Sequence, residues 1–163
     1  MKVLPAVATA ALLLISLAQA IDFPLVKEGL WSIRMQTTEN PGNKKTDFTS
    51  KLCRNHAYDE YSRALAKKQP TCKTINENLS GGKYTSETEC TVRGSVLRTK
   101  AVVTIQGDSE THSESHTTYM PPLFGMSEED IIQDQKYLGN CPAGVEPGDR
   151  IAQDGKVTHT WRH

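Results

Sequence analysis

Polar and apolar side chains alternate along residues 30–37, which read LWSIRMQT. Trp31, Ile33 and Met35 share one face of an extended chain and polar side chains take the other, which is typical of a half-buried strand. An Asn-Pro-Gly-Asn turn signal follows, and a second strand is predicted over 45–53. The two strands are expected to form a hairpin.

The hydrophobic period becomes helical over residues 55–69. Tyr58, Tyr61 and Leu65 recur at helical spacing among alanines, and Asn55 is a suitable N-cap. A proline directly after this segment stops the helix. The pattern therefore predicts one amphipathic helix.

Strand patterns return after this helix. The predicted strands and turns are a strand from Cys72, a tight turn at 80–82, a returning strand to Cys90, a β-branched strand over 95–106, a Gly-Asp turn, and a strand over 109–120. Ser127 is predicted to start a short helix because acidic residues occupy its first turn. A last short strand over 136–141 and a loosely ordered tail complete the prediction.

These elements predict a mainly β fold. About seven strands are expected to form an antiparallel meander, curved or barrel-like, with the amphipathic helix packed on it and one additional short helix. Regular alternation of strands with long helices is lacking, which argues against a parallel sheet. We expect one β-rich domain over 21–145 and a polar C-terminal tail over 146–163.

The first twenty residues have the pattern of a signal peptide. A positive start precedes an apolar run, and Ala-Gln-Ala at 18–20 is a typical cleavage site, so cleavage is predicted after Ala20. The run is shorter than the roughly 20 apolar residues that span a membrane. We therefore expect a periplasmic or secreted protein with no membrane span.

Charge and motifs exclude several functions. Lys and Arg number 19 and Asp and Glu number 19, so no basic excess points to nucleic acid. The sequence lacks Gly-x-Ser-x-Gly, His-Glu-x-x-His and Walker motifs. We therefore predict neither an enzyme nor a cofactor.

Four cysteines follow the export signal, and an even count in an exported chain favours two disulfides. Zinc sites usually use closely spaced cysteine pairs, which this chain lacks. Because Gly81 lies midway between Cys72 and Cys90, a hairpin turning there would place them opposite each other and leave Cys53 for Cys141. The alternative is Cys53–Cys72, which would bracket the helix.

The order of these motifs resembles the DUF3617 family of exported bacterial proteins, over roughly residues 25–145. The shared features are Gly-Leu-Trp at 29–31, the Cys53-helix-Cys72 order, a Gly-Gly hairpin before Cys90, and Gly-Asn-Cys-Pro at 139–142. The resemblance implies a small β-rich periplasmic protein of a Gram-negative bacterium and no assigned activity. Where members often carry methionines, this chain has Glu114 and His116.

The stretch ETHSESH at 110–116 is the candidate metal site. Glu110, His112, Glu114 and His116 would share one face of a strand, and imidazole with carboxylate suits zinc, copper or nickel. The two histidines would lie about 13 Å apart, too far for one ion to bind both directly. A polar strand face is the alternative to a metal site.

The register of the preceding hairpin decides which face carries this row. A two-residue turn at Gly107-Asp108 pairs Val103 with His112 and puts the row among apolar side chains. A three-residue loop pairs Lys100 with His116 and puts the row among polar ones. A slip of one residue exchanges the two outcomes.

The sequence therefore favours a non-enzymatic exported domain that binds a small or hydrophobic ligand or a partner in the envelope. Trp31, Ile33 and Met35 would either line a ligand cavity or form the core. The alternative function is metal binding by His112, Glu114 and His116.

Overall fold

A computed structural model describes residues 21–161 of the chain. The predicted signal peptide at 1–20 lies outside the described residues, as do residues 162–163. The elements are β1 (Gly29–Asn40), β2 (Lys44–Arg54), α1 (His56–Lys67), β3 (Cys72–Ser80), β4 (Lys83–Val92), β5 (Ser95–Gln106), β6 (Glu110–Leu123), β7 (Met126–Gly139), β8 (Asp149–Ile151) and β9 (Val157–His159). No helix in this range is long and apolar enough to cross a membrane.

All strands join one antiparallel sheet in the order β3-β4-β5-β6-β7-β1-β2-β8-β9. The predicted mainly β antiparallel fold is confirmed, with nine strands in place of about seven. The sheet is curled but open, with β3 and β9 as its edges. We call the face covered by α1 the inner face and the opposite face the outer face.

The short helix predicted at Ser127 is wrong, because residues 126–139 form β7. Along this segment Asp130, Ile132 and Asp134 lie on the outer face, and the intervening residues lie on the inner face. β7 pairs on both sides, with β6 and with β1. These two hydrogen-bonded ladders outweigh the helix-start signal of the acidic residues, since β preference depends on the surroundings of a strand.

The segment after Pro142 also differs from the loosely ordered tail that we expected. β8 pairs with β2, and β9 pairs with β8. Asp149 is 1% exposed and accepts a hydrogen bond from the backbone N–H of Glu146 (2.9 Å). The ring of Trp161 packs on Tyr58 and Tyr61 of α1. This segment therefore supports the helix from outside.

The β3–β4 hairpin places Cys72 opposite Cys90 by an unexpected route. The turn has two residues, Gly81 and Gly82, because Ser80 pairs with Lys83. That register alone would put Cys72 one residue out of line, but a bulge at Ile75 restores the alignment. The pairs Cys72–Cys90 and Cys53–Cys141 form disulfides with Cα separations of 4.0 and 5.7 Å.

The most buried part of the core lies on the inner face of β1 and β2. Trp31, Ile33 and Leu52 are 0, 5 and 6% exposed. Trp31 packs edge-on against Tyr137, and its indole N–H donates to the carbonyl of Lys27 (2.9 Å). Of the residues that the alternation singled out, Trp31 and Ile33 therefore form core, while Met35 is half-buried.

Gly29 opens β1 where that strand contacts the end of β7. Its φ is +137°, and an added Cβ would overlap the carbonyl oxygen of Gly139 and lie 3.0 Å from the ring of Tyr137. We expect Gly29→Ala to lower the free energy of unfolding by about 2 kcal/mol through backbone strain and overpacking. Urea unfolding measures the loss.

Gly42→Ala is the matched control for this substitution. Gly42 also has a positive φ, +101°, but nothing lies within 4 Å of an added Cβ. Its loss should reflect backbone strain alone and stay near 1 kcal/mol. Equal losses of unfolding free energy for the two variants would show that overlap with Gly139 does not destabilise the protein.

Candidate functional site

The predicted Glu-His row lies on the outer face. The β5–β6 connection is the three-residue loop, so Lys100 pairs with His116, Val102 with Glu114 and Thr104 with His112. The side chains of the row are between 37 and 66% exposed. The row is therefore solvated.

Each histidine of the row pairs with an aspartate of β7. Nδ1 of His112 lies 2.7 Å from Asp134, and its Nε2 lies 3.1 Å from Glu114. Nδ1 of His116 lies 2.7 Å from Asp130. The hydrogen bond to Asp134, and then that to Glu114, raise the pKa of His112, because both favour the protonated ring.

These contacts form a ladder of side-chain pairs across the outer face. Lys136 continues the ladder by pairing with Glu110 at 2.9 Å, which raises the pKa of Lys136. Among the residues that the structure describes, no group of three or more His, Cys, Asp or Glu side chains is placed to hold a metal ion. Sequence reasoning missed Asp130 and Asp134 as partners because it predicted a short helix from Ser127 and began the next strand only at residue 136.

The inner face carries a concavity, and α1 forms one wall of it. The helix begins one residue after β2, and Asn55 caps it by accepting the backbone N–H of Tyr58 (2.8 Å), as predicted. Asp59, Arg63 and Ala66, spaced four and three residues apart, line the spaces between the helix and the sheet. Tyr61 and Leu65, from the apolar stripe, are instead 43 and 49% exposed.

A polar helix face does not seal against the sheet, and a groove of about 400 Å³ remains between them. We call it the α1 groove. Its lining residues are Phe23, Arg63, Ala66, Lys67, Cys72, Lys73, Thr74, Glu77, Tyr84, Ser86, Thr88 and Val103. Its walls are largely carbon, from two aromatic rings, a valine, an alanine and the stems of the basic side chains.

One side of the α1 groove is fixed by contacts around Tyr84. The hydroxyl of Tyr84 donates to Glu77 (3.0 Å), and Lys67 from the helix reaches the same carboxylate (3.4 Å). Burial, and then the Glu77 carboxylate, raise the pKa of the Tyr84 hydroxyl, which therefore stays protonated and donates. The ring of Phe23 packs on that of Tyr84, with 4.9 Å between centroids.

Phe23 belongs to the segment before β1, which further contacts hold in place. Nε2 of His56 donates to the carbonyl of Val26 (2.9 Å), and the backbone N–H of Lys27 donates to the carbonyl of Asp108 (2.8 Å). Val26 is 8% exposed. This segment thus closes one side of the α1 groove.

Two smaller cavities also lie beneath the helix. One, of about 180 Å³, has a mixed lining from residues 23–26 and β5, and the other, of about 220 Å³, is polar and lies next to β1 and β2. Arg54 lies between them and pairs with Asp59 (2.8 Å) and with the side-chain oxygen of Gln135 (3.0 Å). Arg150 donates to the hydroxyl of Ser50 (2.8 Å). Arg63 lines both smaller cavities and the α1 groove, so it stands where the apolar groove meets the polar cavity.

Comparison with known proteins adds a family and no activity. A family model described as "Protein of unknown function (DUF3617)" matches residues 26–141. A search of curated proteins finds no match. The matched segment contains β1 to β7, α1 and all four cysteines, whereas Phe23, β8 and β9 lie outside it.

Proposed function

The chain belongs to the DUF3617 family, to which no activity is assigned, and we propose that it is an exported, non-enzymatic domain that binds one small apolar ligand in the α1 groove. The observation that carries the proposal is the groove itself. Its volume of about 400 Å³ falls within the range of about 300–1,000 Å³ that is usual for small-molecule sites. Carbon-rich walls with a few fixed polar groups are also usual for such sites.

Export is supported by the signal-peptide pattern and by the cysteines. All four cysteines lie within the described residues, and each is in a disulfide. Such bonds persist in oxidising compartments such as the periplasm and are rare in the cytosol.

Binding is favoured over catalysis by the chemistry of the groove lining. The lining contains no histidine, and its cysteine, Cys72, is in a disulfide. The one lining carboxylate, Glu77, is occupied by Tyr84 and Lys67. An activated nucleophile needs a base within hydrogen-bond reach, and these residues provide none.

A neutral environment-sensitive dye tests the proposal. We expect N-phenylnaphthylamine to bind the purified protein with enhanced fluorescence and one-to-one stoichiometry. Ala66→Trp should weaken its binding at least tenfold, because an indole projecting from α1 would fill the groove that Ala66 lines. Fluorescence titration measures both.

Ala64→Trp is the matched control. Ala64 is exposed, lies on the same helix and does not line the groove, so this variant should bind the dye as the unchanged protein does. If the dye does not bind, or if both tryptophan variants bind it as well as the unchanged protein does, the α1 groove is not a ligand site.

A further inference from the structure

The spaces beneath α1 carry an excess of positive charge. Five basic side chains line the α1 groove and the two smaller cavities, against two carboxylates, Asp59 and Glu77. Asp59 forms an ion pair with Arg54, and Glu77 forms an ion pair with Lys67. Lys73 forms an ion pair with Glu89, which lies outside the groove, at 2.7 Å.

Of these five basic side chains only Arg63 and Arg150 form no ion pair with a described carboxylate, and the one of the two that lines the α1 groove is Arg63. It is half-buried, and no carboxylate among residues 21–161 forms an ion pair with it. Its guanidinium lies over the ring of Phe23, 5.4 Å from the centroid. Contact with an aromatic face holds the planar group without neutralising it.

A guanidinium in this position suits an acidic head group. Its donors form a rigid fork that matches carboxylate and phosphate oxygens, and partial removal from water strengthens such a bond. Because Arg63 borders both the α1 groove and the polar cavity next to β1 and β2, one molecule can place its chain in the groove and its head at Arg63. Neither charge nor volume alone would specify this orientation.

We propose that the ligand is an anionic amphiphile, with a single alkyl chain in the α1 groove and an acidic head group bound by the Arg63 guanidinium. This inference rests on the proposed function and names the class of ligand. Arg150, which also lines the polar cavity next to Arg63, adds a second cation on the head-group side.

The test uses four probes that share a ten-carbon chain and differ in the head: decanoate, decyl phosphate, decanol and decylammonium. Each is titrated against bound N-phenylnaphthylamine, and direct calorimetry measures its affinity. We expect at least one of the two anions to bind tenfold or more tightly than decanol, and decylammonium to bind most weakly. The tighter of the two anions identifies the head as carboxylate or phosphate.

Arg63→Gln should lower the affinity for the preferred anion at least tenfold, while decanol still binds. Lys73→Gln is the matched control, because it removes the same charge from the same groove while Glu89 keeps Arg98 as a partner at 3.0 Å. That variant should keep the preference for anions. Thermal unfolding of both variants checks that they fold.

The outcomes separate this inference from the proposed function. If decanol binds as tightly as the anions, or if Arg63→Gln keeps the preference, the groove binds apolar ligands but the acidic head group is refuted. If neither the dye nor any ten-carbon probe binds, both proposals are overturned.

Discussion

Replacing both Cys53 and Cys141 by alanine is expected to lower the free energy of unfolding by about 4.5 kcal/mol. The two cysteines lie 88 residues apart in sequence, so their bond greatly restricts the unfolded chain. Loop-closure entropy for a loop of that length gives about 4.5 kcal/mol at 25 °C. Cys53 is fully buried, so the folded protein also loses packing. Urea unfolding, monitored by tryptophan fluorescence, measures the change.

The second disulfide supplies the control. Cys72 and Cys90 lie only 18 residues apart, and the same reasoning gives about 3 kcal/mol for their alanine pair. Mass spectrometry verifies that each double variant keeps its remaining bond. A larger loss from the Cys72/Cys90 pair would contradict the expected order.

Sequence reasoning succeeded where the signal is local. The two-residue period of β1, the helical period of α1 and the Asn55 cap each depend on neighbouring residues alone, and each is present in the structure. The hairpin turns follow glycines that adopt positive φ, such as Gly81 and Gly107. The meander followed because consecutive antiparallel strands tend to be neighbours.

The prediction for the start of β7 failed because the conformation of this segment is decided by the strands beside it. Its acidic start and the adjacent Ile131 and Ile132 are compatible with a helix. Only pairing with both β1 and β6 makes the segment a strand. That pairing also supplies Asp130 and Asp134 to the two histidines, so the outer-face ladder could not be predicted from a short helix at the start of this segment.

The α1 groove could not be predicted from the sequence, for a different reason. It brings together Phe23 before β1, Arg63 on the helix, and Tyr84 and Val103 on the sheet, and none of these belongs to a motif. The available signal was the helix: Asp59, Arg63 and Ala66 form a face of their own beside the apolar stripe. Sequence alone did not indicate which of the two faces meets the sheet.

The polar contact between α1 and the sheet leads to the second large effect. Arg54→Met should lower the free energy of unfolding by about 4 kcal/mol, because it leaves Asp59 buried without its ionic partner. The side chains of the pair are 15 and 7% exposed, and the closest nitrogen–oxygen distance is 2.8 Å. Arg54 also lies over the ring of Trp31 at 5.1 Å, a contact that methionine can partly replace. Urea unfolding of the variant measures the loss.

The double variant Arg54→Met, Asp59→Leu distinguishes the uncompensated charge from lost packing. Removing both charges together should cost much less than Arg54→Met alone, below about 1.5 kcal/mol, because no buried carboxylate remains unpaired. If the double variant is as unstable as the single one, the pair matters through packing and the bond to Gln135. The expected recovery of the free energy of unfolding would instead show that the Arg54–Asp59 pair adds little net stability. A polar helix face that adds little stability accords with a helix that forms one wall of a groove.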